Sequence, residues 1–478
     1  MLFNSVEFTV FLPIVFFIYW IVPSKNIRIQ NGILLGASYF FYGWWDWRFL
    51  TLIIFSSFLD FFLGHKISGE QNEKKRKLYL WISLGFNLGL LGFFKYFNFF
   101  AESFADAYTL LGGSFDPVRL GIILPVGISF YTFQTLSYSI DIYRGKLQPT
   151  KDIVGFFAFV SFFPQLVAGP IERAQNLLPQ FQFKRKFHYS SAVDGLRQIL
   201  WGLLKKVVIA DNCAMFVNEI FANEATYSGS TLLLGAILFA FQIYGDFSGY
   251  SDIAIGTAKL FGFSLMKNFN FPYFSRDIAE FWRRWHISLS TWFRDYLYIP
   301  LGGSRGGTAM RVRNTFIIFL VSGFWHGANW TFIVWGGLNA LFFLPLLYLG
   351  QNRNHMGDIA PDQFFPGIKE FLLILFTFLL TTLAWVFFRA ASVTHAITYL
   401  KGIFSTSLFS APEIFPLSLV ILISLFLTVE WIFRNKDYGL DFSNTNLNSP
   451  IKWSIYIVVI FIICHYGASQ QDFIYFQF

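Results

Sequence analysis

The chain has 478 residues, of which 55% are hydrophobic and only 13% are charged, and phenylalanine alone occurs 65 times. Because a soluble core stops growing at about 250 to 300 residues and needs a charged surface, this composition excludes a soluble globular protein and indicates an integral membrane protein. The formal charge of +8 fits basic loops that face anionic lipid, and it requires no nucleic-acid partner.

Long apolar runs along the whole chain predict membrane-spanning helices. They cover residues 8–22, 32–45, 49–64, 78–99, 120–140, 195–217, 231–262, 314–350, 368–388, 414–433 and 452–467. At about 1.5 Å per residue, the run at 314–350 is long enough to cross the bilayer twice, which gives about eleven or twelve spans. We therefore expect an all-α integral membrane protein in which residues 1–478 form a single polytopic domain.

Two further apolar stretches, at 153–171 and 281–303, are interrupted by proline and glycine. We predict that they are re-entrant or interfacial pieces. Since irregular backbone at membrane depth is tolerated only where protein or a water-filled cavity satisfies it, a cavity is expected. The glycines at 301–307 match no phosphate-binding or dinucleotide-binding loop and predict a turn.

Loop charges orient the chain, because basic loops stay on the cytoplasmic side. The basic groups are Lys25 and Arg28; Lys66 with Lys74, Lys75, Arg76 and Lys77; Arg144, Lys146 and Lys151; and Lys184, Arg185 and Lys186. The loops between them are acidic or neutral. We expect a multi-pass protein of the plasma or inner membrane with both chain ends outside.

His326 lies in the motif FWHGANW at 324–330. If an apolar helix enters the membrane at Asn314, a rise of about 1.5 Å per residue places His326 roughly 18 Å deep, near the middle of the bilayer. A lone histidine is often a satisfied core residue, but ionisable groups at that depth are costly and mark functional sites. The small residues that follow, 327–329, allow a local break. We therefore predict that His326 is catalytic.

A second candidate, His286, lies in the amphipathic stretch FWRRWHISLSTWFRDYLYIPLGG at 281–303. Aromatic residues prefer the headgroup level, so this pattern fits anchoring at the membrane surface. It equally fits a cavity mouth at which Arg283 or Arg284, with Trp285 between them and His286, binds a phosphorylated donor.

The polar cluster DFSGYSDIAIG at 246–256 interrupts a long apolar run. Asp246 and Tyr250 are four residues apart and share a helix face. Asp246 and Asp252 could line an aqueous cavity, orient a catalytic histidine, or join helices by hydrogen bonds. We interpret the remaining histidines as incidental: His65, His188, His355, His395 and His465.

Four motifs together resemble the membrane-bound O-acyltransferases, and in particular their alginate O-acetylase-like branch. They are FFPQLVAGPIER at 162–173, DFSGYSDIAIG, the stretch around His286 and FWHGANW. The resemblance runs in order to the terminal FIYFQF at 473–478, with a family core at approximately 120–390. It implies a ring of helices around a tunnel, with His326 matching the active-site histidine and His286 the second family histidine.

The resemblance also implies the reaction and its partners. The donor would be a thioester at the cytoplasmic face, either acetyl-CoA or an acyl-carrier protein, with no metal and no bound cofactor. The acceptor would be a hydroxyl on an extracytoplasmic polysaccharide or cell-wall glycan, reached with the help of an extracytoplasmic transferase. Similar terminal aromatic motifs in acyl-exporting members suggest that Tyr475 carries the acyl group on the way.

The chemistry of acetyl transfer needs a base, because an alcohol must lose its proton as it attacks a thioester. A neutral histidine supplies that base and typically contributes about 10²- to 10⁴-fold. Asn329 and nearby backbone N–H groups are the local candidates to stabilise the oxyanion. Two other classes remain open: a transporter or flippase that uses Asp246, Asp252 and His326 as a pathway, and a scaffold for which His326 is dispensable.

Overall fold

The computed structural model describes residues 1–23, 25–167, 169–361, 363–443, 445 and 447–474. Within these ranges the regular elements are helices and none is a β-strand, so the predicted all-α fold is confirmed. The chain divides into two compact units: Met1–Gly195 with Thr257–Met266, and Leu196–Gly256 with Lys267–Phe478. Each unit is described by itself below, and the single-domain organisation stays a prediction.

The first unit is built from apolar helices that buried polar groups join. Its helices are α1 Val6–Ile21, α2 Ile27–Asp46, α3 Leu50–Gly69, α4 Glu73–Leu91, α5 Phe97–Leu110, α6 Ile128–Tyr143, α7 Ile153–Val160, α8 Phe163–Leu166 and α9 Ala174–Leu177. Asp60 on α3 accepts hydrogen bonds from Ser83 and Asn87 on α4, at 2.5 and 2.9 Å, and from Ser139 on α6 at 3.4 Å. Such hydrogen bonds hold helices together where the surroundings are apolar.

The second unit contains both candidate histidines. Helices α10 Tyr189–Leu203 and α12 Gly229–Leu260 contribute residues to both units. The second unit continues with α11 Asp211–Ala222, α13 Ile278–Arg284, α14 Ile287–Phe293, α15 Gly307–His326, α16 Trp330–Tyr348, α17 Ile368–Arg389, α18 Val393–Ile403, α19 Leu417–Ile432 and α20 Ser449–Tyr466. A π-helical segment, Leu204–Ala210, joins α10 to α11.

Helices α15 and α16 form a tight antiparallel hairpin because glycines lie where their backbones meet. A Cβ atom at Gly323 would lie 2.2 Å from the carbonyl oxygen of Phe332, and one at Gly336 would lie 2.3 Å from that of Phe319. Any larger residue would force the two helices apart. The predicted long run at 314–350 is therefore two helices with a break between them.

Among the described residues, six helices are long and apolar enough to cross a membrane. They are Ile27–Gly69, Glu73–Leu110, Gly229–Leu260, Trp330–Tyr348, Ile368–Arg389 and Ser449–Tyr466. The first two are long enough to contain two α-helices each, and shorter apolar helices cover Val6–Ile21, Ile153–Leu166 and Leu417–Ile432. The polytopic character is confirmed, whereas the count of about eleven or twelve spans stays a prediction.

One predicted span was wrong at its beginning. Helix α6 starts at Ile128, and residues 120–127 are not helical. Proline at position 125 has no N–H to donate, and Gly127 adopts a left-handed φ of 75°. The separate helices α5 and α18 were not predicted. The two interrupted stretches break into short helices, and residues 301–306 form the predicted turn. Their re-entrant or interfacial placement stays a prediction.

Candidate active site

The structure brings His286 and His326 together in the second unit. Their ring centroids are 6.4 Å apart, with ring planes inclined by 57°. The two residues are only 1% and 2% exposed. The two histidines predicted from separate motifs thus face one buried site.

His286 lies in the connection between α13 and α14 and has an unusual backbone conformation. Asp277 caps α13 by accepting a 2.7 Å hydrogen bond from the Glu280 N–H, and the helix ends at Arg284. His286 then adopts φ 44° and ψ 55°, the left-handed region that side-chain-bearing residues rarely occupy. Strain of this kind costs about 1 to 3 kcal/mol and concentrates at functional sites, which supports His286 as a functional candidate.

Asn268 fixes the orientation of the His286 ring. Its side-chain oxygen accepts hydrogen bonds from the Ser288 hydroxyl at 2.8 Å and the Ser288 N–H at 3.3 Å, and lies 3.1 Å from His286 Nδ1. Its amide nitrogen donates to the Ser251 hydroxyl at 3.0 Å. Because a carboxamide oxygen only accepts, Nδ1 carries the proton and Nε2 keeps a lone pair.

The protonation state of His286 follows from its surroundings. Burial lowers the pKa of the imidazole to about 3, so the ring is neutral at physiological pH. Its Nε2 atom is buried and has no hydrogen-bond partner among the described residues. The ring is therefore oriented to accept a proton from a group that enters the site.

His326 is the last residue of α15. Its ring packs against Trp325, Trp335 and Phe388, with centroid distances of 4.9, 5.1 and 5.3 Å. The backbone becomes extended at Gly327, where a Cβ atom would lie 2.1 Å from the Phe332 ring. These aromatic side chains give the imidazole three apolar walls.

Helix α15 begins at Gly307, before Asn314, and ends at His326. The depth of His326 in the membrane, counted from Asn314, stays a prediction. Buried Asn314 donates a 3.0 Å hydrogen bond to the carbonyl oxygen of Gly303 and so holds the preceding turn. The predicted break after His326 is present and separates α15 from α16.

Asn329 acts as the N-cap of α16. Its side-chain oxygen accepts a 3.0 Å hydrogen bond from the Thr331 N–H, and its amide nitrogen donates to the carbonyl oxygen of Ala391 at 3.0 Å. Asparagine is a favoured capping residue because it satisfies a helix N–H that has no partner within the helix. This capping role explains why asparagine follows the break, and leaves an oxyanion role for its side chain a prediction.

The guanidinium groups of Arg283 and Arg284, near His286, bind other groups of the same chain. Arg283 donates to the carbonyl oxygens of Asn352 and His355, at 2.9 and 2.8 Å. Arg284 forms a buried ion pair with Glu280 at 2.9 Å. The Arg283 contacts hold the connection between α16 and α17, whereas the Arg284–Glu280 pair lies within α13. A donor-binding role for Arg283 and Arg284 stays a prediction from the sequence pattern alone.

Trp285 is fully buried among aromatic side chains. Its ring stacks on Phe281 and packs against Trp385, with centroid distances of 5.5 and 5.0 Å. Trp385 in turn stacks on Trp335, which is one wall of the His326 site. Trp285 therefore supports, through Trp385, the Trp335 side chain that packs against His326.

The predicted polar face of α12 makes ion pairs with the π-helical segment. Asp246 lies 2.8 Å from Lys206, which also lies over the Tyr250 ring, as expected for residues that share a face. Asp252 pairs with Lys205 at 2.5 Å. Both aspartates thus join helices, whereas their neighbour Ser251 reaches the site through Asn268.

Sequence analysis missed Asn268. It lies in the segment KNFNF at 267–271, which is outside every predicted span and has no recognisable spacing from His286. Only the fold places its side chain beside the imidazole. Tyr475, the predicted acyl carrier, lies outside the described residues. Among the residues that the structure does describe, no group of His, Cys, Asp or Glu side chains is placed to hold a metal ion.

Comparisons with known proteins show to which family the chain belongs. A model of the membrane-bound O-acyltransferase family matches residues 149–388, a range that contains both histidines. The chain is 42% identical over 409 residues to a probable alginate O-acetylase of Azotobacter vinelandii, which covers 85% of this chain and 78% of that protein. A probable alginate O-acetylase of Pseudomonas putida is 37% identical over 504 residues, covering 100% of both chains. The chain belongs to the membrane-bound O-acyltransferase family.

This membrane-bound O-acyltransferase has a further relative that is named for a different acceptor. It is 38% identical over 431 residues to a peptidoglycan O-acetyltransferase of Helicobacter pylori, covering 84% of this chain and 79% of that protein. The protein is thus a multi-pass membrane acyltransferase, rather than the transporter or scaffold that the composition also allowed.

Proposed function

We propose that this acyltransferase moves an acetyl group from a thioester donor at the cytoplasmic face to a hydroxyl on an extracytoplasmic polysaccharide or cell-wall glycan. The observation that carries the proposal is the buried pair of His286 and His326, 6.4 Å apart between ring centroids. Relatives named for alginate and peptidoglycan acetylation support a hydroxyl acceptor in the cell envelope.

In the proposed reaction, the acceptor hydroxyl lies between the two imidazoles. Because a hydroxyl has a single proton, it donates to one ring at a time, in a hydrogen bond of about 2.8 Å. As its oxygen attacks the thioester carbonyl carbon, His326 takes the proton, and Nε2 of His286 is the alternative acceptor. The tetrahedral intermediate then loses the thiolate, which takes the proton back from the His326 imidazolium.

The oxyanion of that intermediate requires hydrogen-bond donors. The side-chain amide of Asn329 already donates to Ala391, and the N–H of Gly327 donates to the carbonyl oxygen of Gly323. We therefore assign this role to the backbone N–H groups of residues 328 and 329. Donors in a dry site contribute most when they are held in place before the reaction. The packing of Phe332 against Gly327 is the contact that holds this break.

The donor is proposed to be acetyl-CoA or an acyl-carrier protein thioester, with no bound cofactor. Both carry the acyl group as a thioester, so the chemistry at the histidines is the same. A helical ring around a tunnel would let the thioester enter from the cytoplasm of an inner-membrane protein while the acceptor hydroxyl approaches from outside.

We propose that the hydroxyl that reaches the histidines is the phenol of Tyr475, which takes the acyl group there and passes it to an extracytoplasmic transferase that acts on the polymer. Tyr475→Phe keeps the aromatic ring and removes only the hydroxyl. We expect this variant to lose polymer acetylation in cells. Unimpaired acetylation would rule out the tyrosine step, but it would not contradict the proposed role of the two histidines.

The experiment that tests the function uses membranes supplied with radiolabelled acetyl-CoA or labelled acyl-carrier protein. Wild-type membranes should transfer label to a hydroxyl-bearing envelope polymer, and His326→Ala membranes should not. His188→Ala, which removes an exposed histidine of the first unit, is the matched control. Equal labelling by wild type and His326→Ala would contradict the proposal, and the chemical identity of the labelled product would define the acceptor.

A further inference from the structure

The described end of the chain, residues 471–474, is buried at its last two residues. Phe473 and Ile474 are 0% and 1% exposed. The N–H of Ile474 donates a 2.7 Å hydrogen bond to Oδ2 of Asp246, in the middle of α12. This hydrogen bond holds the segment, which is called here the tail, against α12.

A buried lysine makes the second contact with the tail. Lys206 Nζ donates to the backbone carbonyl oxygen of Gln471 at 3.1 Å. The same ammonium group lies 2.8 Å from Asp246 and 2.7 Å from Asp211, and all three side chains are at most 3% exposed. Because a buried charge without a partner is strongly destabilising, these ions remain together.

The backbone of the π-helical segment adds a third contact. The N–H of Ala468 donates to the carbonyl oxygen of Val207 at 3.3 Å. Lys206 and Val207 both belong to Leu204–Ala210, and π-helical turns are frequent at functional sites. The path of the chain after α20 is therefore set by this segment together with Asp246.

The tail reaches the candidate site through one aromatic ring. Phe473 packs on Tyr250 and Phe247, with centroid distances of 4.3 and 6.2 Å. Phe247 meets the His286 ring edge to face, 4.5 Å between centroids and 89° between planes. Displacement of the tail would remove the support behind Phe247 and so loosen the imidazole.

We infer that the tail is a wall of the acyl-transfer site and that Asp246 and Lys206 are positioning residues that hold it. This inference rests on the proposed role of the histidine pair. It also gives Asp246 a function, which is to bind the backbone of the tail. Neither an aqueous pathway nor the joining of helices would require this contact. The same contacts fix the position of Ile474, the residue that precedes Tyr475 in the sequence.

Tail binding is tested on the full-length protein in detergent by carboxypeptidase digestion followed by intact-mass measurement. In wild type we expect no residue before Tyr475 to be removed. In Asp246→Ala, digestion should pass Phe473 and reach at least Gln471, while the remaining Lys206–Asp211 pair keeps the buried charge balanced. Asp252→Asn is the matched control: it changes another buried carboxylate on α12 that does not contact the tail, and it should keep the wild-type mass pattern.

The effect on catalysis is tested with a change in the tail itself. Ile474→Pro removes the N–H that Asp246 binds, and Ile474→Val keeps it. We expect Ile474→Pro and Asp246→Ala to lower kcat at least about tenfold with the donor KM unchanged, because small misplacements of a reacting group reduce rate steeply. Ile474→Val should turn over at least tenfold faster than Ile474→Pro.

Two results would overturn the inference. An undigested tail in Asp246→Ala would show that Asp246 does not hold it, and a released tail with wild-type kcat would show that the tail is not part of the site. Absence of acyl transfer in wild type would instead contradict the proposed function. The mass pattern would still decide whether Asp246 binds the tail, so the two failures are distinguishable.

Discussion

The imidazole rings of His286 and His326 lie 6.4 Å apart, although one belongs to a strained connection and the other ends a helix. The first ring is oriented by Asn268 and the second is enclosed by aromatic side chains. The two rings therefore have different supports and should respond differently to mutation.

Replacement of His326 by alanine should lower acyl transfer by about 10²- to 10⁴-fold, the usual contribution of a general base. His286→Ala should cause a smaller loss if this ring assists rather than takes the proton. Initial rates of transfer in membranes, normalised to the amount of folded protein, measure both effects. Equal and total loss in the two variants would instead indicate a proton relay that needs both rings.

Asn268 should act through His286. Asn268→Leu removes the acceptor for Nδ1–H, and we expect kcat to fall about 10- to 100-fold, as for other groups that orient a functional histidine. Asn268→Asp keeps an acceptor and should recover part of the rate. Its negative charge should also raise the pKa of His286 and move the acidic limb of the pH–rate profile upward. An unchanged pH profile in the aspartate variant would argue for a purely structural role.

A variant of Arg283 can distinguish a structural role of this residue from a role in binding the donor. Its guanidinium binds the carbonyl oxygens of Asn352 and His355, so Arg283→Gln should destabilise the fold by about 1.5 to 3 kcal/mol per lost charged hydrogen bond. On this basis the donor KM should not change. Thermal unfolding and donor titration of the purified protein measure the two effects, and a raised KM with normal stability would restore the donor-binding interpretation.

Gly336 and Gly337 of α16 are adjacent, but we expect alanine at these two positions to have very different effects on stability. A Cβ at Gly336 would lie 2.3 Å from the carbonyl oxygen of Phe319, whereas one at Gly337 meets only Leu320 Cδ2 at 3.8 Å. Gly336→Ala should destabilise the fold by about 1 to 3 kcal/mol and displace His326, as overpacking does elsewhere. Gly337→Ala should remain close to wild type in both thermal unfolding and activity. Similar behaviour of the two variants would contradict the close packing of this hairpin.

The membrane environment, the fold class and the choice of His286 and His326 as candidate residues could be predicted from the sequence, because their signals are local. A composition with few charges and many apolar runs requires a bilayer, and FWHGANW carries its histidine next to small residues that break a helix. Helix ends were predicted less well. The start of α6 moved to Ile128 and that of α15 to Gly307, because turns and packing rather than hydropathy end a helix.

Only the tertiary structure decided which polar groups meet. Asn268 is distant from His286 along the chain and shares no periodicity with it, yet it sets the tautomer of the ring. Asp246 belongs to a motif that composition singles out, but its partner is the N–H of Ile474, more than two hundred residues later. Hydrogen bonds and ion pairs depend on the distance between groups in space. Residue patterns along the chain record only the periodicity and hydropathy of each segment. These contacts therefore became visible only in the folded structure.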